Sequence, residues 1–85
     1  MFSRKIRVEY EEKGACHACP LKWIDSFSMR NFTNASAFDD TLPAADGLIE
    51  IGAKVPVDAL REAMEDWFRR KSYLPPGAKL LVTEL

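Results

Sequence analysis

Both cysteines and the only histidine of this chain fall inside one tetrapeptide, Cys16-His17-Ala18-Cys19. Two thiols at this spacing can close a small disulfide ring or bind one metal ion together. As a redox pair, Cys16 would attack, Cys19 would resolve, and a protonated His17 would lower a thiol pKa. Such reactivity depends on a thiolate held at a helix N-terminus, where the dipole and free N–H groups stabilise negative charge.

Pro20 argues against that placement. A helix capped by Cys16 needs the residue-20 N–H to bond back to the Cys16 carbonyl. Proline has no N–H, and its ring clashes with that carbonyl. A helix opening at Pro20 leaves Cys16 in the loop ahead of it. With a strand expected over 6–10, the tetrapeptide resembles a thioredoxin-type active site in spacing alone, over four residues. That resemblance implies a thiol–disulfide protein. A structural zinc site wants four ligands, and only Cys16 and Cys19 are well spaced for one ion, so no metal is expected. The reading that leads treats the cysteines as small apolar residues in a loop folded against the core, because free cysteine is among the most buried residue types.

The elements around the motif are read from periodicity. From Arg4 to Glu11, Ile6, Val8 and Tyr10 alternate with Lys5, Arg7, Glu9 and Glu11, a strand with one buried face and one solvated, mixed-charge face. Lys13-Gly14 marks a turn, and 14–19 is expected as loop. Residues 20–30 fit two patterns. Leu21, Trp23, Phe27 and Met29 share a strand face; Trp23, Ile24 and Phe27 share a helix face. The Trp, Ile and Phe content favours a second strand antiparallel to the first, whereas a helix would strengthen the redox reading. Residues 31–47 form a polar stretch without period, closed by the turn signal Asp46-Gly47.

Leu48 to Ile51 reads as a short strand. Val57, Leu60, Met64, Trp67, Phe68 and Lys71 then recur at helical spacing, giving an amphipathic helix over 56–72. Pro56 opens it, Asp58 is acidic in its first turn, and Arg69, Arg70 and Lys71 are basic in its last. Pro75-Pro76-Gly77 turns the chain into a strand over 79–85. Short connections make strands 48–51 and 79–85 parallel to one another. The predicted fold is α+β, one domain over 1–85: a mixed sheet of about four strands in the order β-β-β-α-β, with one long helix on one face.

Composition limits the function. The 85 residues carry a formal net charge of −1, which argues against nucleic-acid binding as the main activity. Weak binding through Arg4, Lys5, Arg7 and the Arg69 cluster is the third alternative. No stretch approaches the roughly 20 apolar residues needed to span a bilayer. The first residues lack the apolar run of a secretory signal, so a cytoplasmic, thiol-reducing setting is expected. With one histidine, no glycine-rich phosphate loop and no ligand cluster, an enzyme has little to work with, and no cofactor is called for. The expectation is a non-enzymatic protein-interaction module that binds another protein: an adaptor, inhibitor or regulatory subunit. Its expected contacts are Phe38, Asp39 and Asp40 in the long loop, Arg69, Arg70 and Lys71 at the helix end, and an exposed sheet edge that could pair with a second copy as a homodimer. The competing account of the three cations is that they complement the helix C-terminus.

Overall fold

The computed structural model describes residues 4–27, 41–52 and 54–85. Its elements in chain order are β1 (Arg4–Glu12), β2 (Ala15–Ala18), α1 (Leu21–Ser26), β3 (Thr41–Ala45), β4 (Leu48–Ile51), α2 (Val57–Arg70) and β5 (Lys79–Glu84). The fold is α+β, a small sheet with α2 packed on one face.

β1 is the central strand. On one side it pairs along residues 6–11 with β5. Its other side is shared: Arg4 to Arg7 pair with β4, and Glu9 to Glu12 pair with β2. β3 adds to the far side of β4 with a register shift between Pro43 and Ala45. Every pairing is antiparallel, so β4 and β5 run parallel to one another, as expected from their short links to α2, but with β1 between them.

The order along the chain departs from expectation at three places. Residues 41–45, expected as part of a loop without regular structure, are the strand β3, held by its pairing with β4. Residues 15–18 are strand and not loop, because Lys13 and Gly14 both adopt positive φ (52° and 80°). Two such residues make the two-residue turn whose twist matches a tight hairpin. Residues 21–26 are helix and not strand. Pro20 holds ψ at 147°, outside the helix, and the Leu21 N–H donates to Asp46 Oδ1 at 2.6 Å. The N-terminal acceptor that proline cannot supply thus comes from a distant turn. Replacing Asp46 with alanine is expected to cost about 1 kcal/mol, read as a lower urea midpoint with an unchanged m-value.

The core lies between the sheet and the two helices. Ile6 and Val8 of β1, Ile49 and Ile51 of β4 and Leu80 of β5 meet Leu60, Met64 and Phe68 of α2. Ile24 of α1 and Phe27, the residue that caps its C-terminus, join this core; both are fully buried at i,i+3 spacing. An aromatic file runs along one end of this layer. Tyr10 stacks on Trp23 at 5.2 Å, and Trp23 stacks on Tyr73 at 5.6 Å. Trp67 Nε1 donates to Ser26 Oγ at 3.0 Å, which ties α1 to α2. At the opposite end, the Arg4 guanidinium forks onto Glu84 at 2.9 and 3.0 Å and holds that carboxyl below the usual carboxylate range.

Candidate functional site

The hairpin that carries the thiols decides their chemistry. Along β2, Cys16 lies opposite Glu11 and His17 opposite Tyr10. Successive side chains of a strand point to opposite faces. Cys16 therefore takes the outer face with Glu11, and His17 takes the helix side, its ring 5.2 Å from Tyr10. The backbone stays extended through Cys19. Its N–H donates to the Val8 carbonyl at 3.1 Å, and its carbonyl accepts from the Gly47 N–H at 2.7 Å. Three residues from Cys16, Cys19 faces the core and is 0% exposed, whereas Cys16 is exposed. Burial, with a smaller contribution from Glu9, pushes the Cys19 thiol up to about 12. Both cysteines are free. Among the described residues, no group of three or more His, Cys, Asp or Glu side chains converges as a metal site.

The cations at the end of α2 have intramolecular partners. Arg69 Nη2 donates to the Ala78 carbonyl at 2.8 Å and lies 3.7 Å from Glu65. Arg70 Nε donates to Asp66 at 3.0 Å, and Lys71 Nζ sits 4.7 Å above the Trp67 ring. The Glu65–Arg69 and Asp66–Arg70 pairs expected from i,i+4 spacing are both present. Phe38, Asp39 and Asp40 lie outside the described residues.

The face of the sheet turned away from α2 has no described element packed on it. Down its middle, β1 presents Lys5, Arg7, Glu9 and Glu11, in that order, between the core residues. None of the four makes a salt bridge among the described residues. The strands beside β1 treat these charges unequally. Lys5 has Glu50 opposite it on β4, and Glu11 has Lys79 opposite it on β5. Arg7 lies between Leu48 and Thr83, and Glu9 lies between Ala18 and Leu81. The two central charges therefore have uncharged neighbours on both sides. Leu81 is 36% exposed, and Leu42, opposite Glu50, is 47% exposed.

Comparison with known proteins assigns the chain to no family. No family model matches it, and no curated protein or solved structure shows significant similarity to it. The outer face is thus described by its own chemistry: a basic half and an acidic half along one strand, with Leu48 and Leu81 set diagonally about the centre. From the alternation alone these charges read as a solvated surface. The strand register carries the missing information, because only the register shows which charges lack a lateral counter-ion.

Proposed function

We propose that this chain is a small non-enzymatic protein-interaction module, an adaptor, inhibitor or regulatory subunit, that docks through the face of its sheet on which no described element packs. The observation that carries this reading is the centre of that face, where Arg7 and Glu9 stand between Leu48 and Leu81 with no charged residue opposite them on either flanking strand. Aliphatic side chains there supply buried area, and the opposed charges set orientation and register against a complementary surface. Thiol–disulfide chemistry has less support, since the two sulfurs leave the hairpin on opposite faces and Cys19 is sealed in the core. Nucleic-acid binding has less support as well, since Arg69 and Arg70 are held by α2 carboxylates and β1 offers as many acids as bases. A reducing, cytoplasmic setting suits an exposed free Cys16.

The test is photo-cross-linking in cells that express the protein. A photoreactive phenylalanine replaces Leu81 on the open face or Glu62 on the exposed side of α2. Adducts of defined mass are expected from position 81 and not from position 62. Absence of adducts at 81, or the same adducts from both positions, would remove the reading.

A further inference from the structure

The order of charges along β1 is self-complementary, and it specifies a partner. We infer that the open face pairs with the same face of a second copy, β1 over β1 and antiparallel, to give a two-sheet sandwich closed by a two-fold axis. This rests on the reading of the open face as the docking surface.

Consider two copies laid face to face with the two-fold axis perpendicular to β1 and level with Val8. Arg7 of each copy then lies over Glu9 of the other, and Lys5 over Glu11. An axis along β1 would instead lay Arg7 over Arg7 and Glu9 over Glu9. The signs select the antiparallel arrangement, because like charges brought together in a contact destabilise it. The lateral strands follow the same operation. Leu48, opposite Arg7, comes over Ala18, opposite Glu9, so a large side chain meets a small one. Leu81, opposite Glu9, comes over Thr83, opposite Arg7. Sheets packed this way stand about 10 Å apart with strand directions within about 30° of each other, so the matching is closest near the axis, where Arg7 and Glu9 sit. Their lack of lateral counter-ions leaves them free for this cross-copy pairing. Lys5 and Glu11 contribute less, since Glu50 and Lys79 already lie beside them.

Sedimentation equilibrium of the purified chain tests the pairing. The wild-type protein is expected to move towards twice its 9.6 kDa mass as concentration rises from micromolar to millimolar. Arg7→Glu and Glu9→Arg should each weaken association at least tenfold, because each lays like charges over one another twice. The double reversal, Arg7→Glu with Glu9→Arg, should restore it, as should mixing the two single variants. Far-ultraviolet circular dichroism and melting curves confirm that each variant is folded. A wild-type chain that stays monomeric throughout, single variants that associate as well as wild type, or a double variant that stays monomeric would each overturn the inference. A monomeric chain that still gives position-81 adducts with a different protein removes only the self-pairing, whereas loss of those adducts removes the docking face itself.

Discussion

Valine in place of Gly47 is expected to lower stability by about 3–4 kcal/mol. Gly47 has φ of +74°, where a branched side chain is strained, and a Cβ there would lie 2.9 Å from the Ala18 Cβ and 3.3 Å from the Val8 carbonyl oxygen. Neither neighbour can yield readily. The Gly47 N–H bonds the Cys19 carbonyl at 2.7 Å and its carbonyl accepts the Val8 N–H at 2.8 Å, so the turn is stitched between β1 and the end of β2. It fills the place along β1 where β4 stops and β2 begins. For a domain of this size each kcal/mol moves the melting temperature by about 4–8 °C, so a fall of roughly 15–25 °C is expected. Gly77 is the control. Its φ is +82°, but a Cβ there meets nothing within 4 Å, so Gly77→Ala reports backbone strain alone. Gly47→Ala should cost more than Gly77→Ala by the contact with Ala18. Equal losses in thermal or urea unfolding would show that the hairpin moves aside, and the argument for a rigid seam would fail.

The same seam explains what could be read from the sequence. Elements whose cause is local were legible. The alternation of Ile6, Val8 and Tyr10 marks β1, and the spacing of Leu60, Met64 and Phe68 marks α2, whose structured length is Val57–Arg70. The relation of β4 to β5 followed from short connections. Elements whose cause is distant were not legible. α1 has only six residues, and the acceptor that starts it, Asp46, lies 25 positions away. A helix this short takes its stability from packing and not from propensity, so Ile24 and Phe27 had to find the core before the pattern had a meaning. β2 is exposed at all four residues and has no hydrophobic period to reveal it; its strand state follows from the tight turn before it and the free edge of β1 beside it. The lateral surroundings of the outer-face charges were not legible for a related reason. Alternating charge looks the same whether the flanking strands neutralise it or leave it bare.

Placing Cys16 on a strand, with Cys19 just past its end and buried in the core, has a sharp consequence for thiol reactivity. Ellman's reagent at pH 8 should titrate one thiol of the native protein promptly, Cys16, which is exposed. Cys19 should react only as the core opens, slower by roughly 1,000-fold, since even a marginally stable domain spends a small fraction of time open. In denaturant both should react together. The same burial predicts an alkaline signature. The folded state holds the Cys19 proton up to about 12, whereas an ordinary thiol releases it near 9.0. Below pH 9 the group is neutral in both states and its contribution to stability is intact. As pH rises from 9 towards 12 only the unfolded chain loses the proton, so stability should fall by up to about 1.4 kcal/mol per pH unit from this group. Cys19→Ala creates a small cavity costing about 1 kcal/mol at neutral pH, yet it should flatten the decline above pH 9. Parallel declines for the two proteins, or two thiols of equal speed, would mean that Cys19 is open to solvent. With Cys19 held in the core and Cys16 on the other side of the hairpin, a disulfide ring can close only after the ladder from Val8 to Cys19 to Gly47 has parted. Any oxidant would therefore have to unfold the seam before it could use the pair, and that cost separates a structural pair of cysteines from a working one.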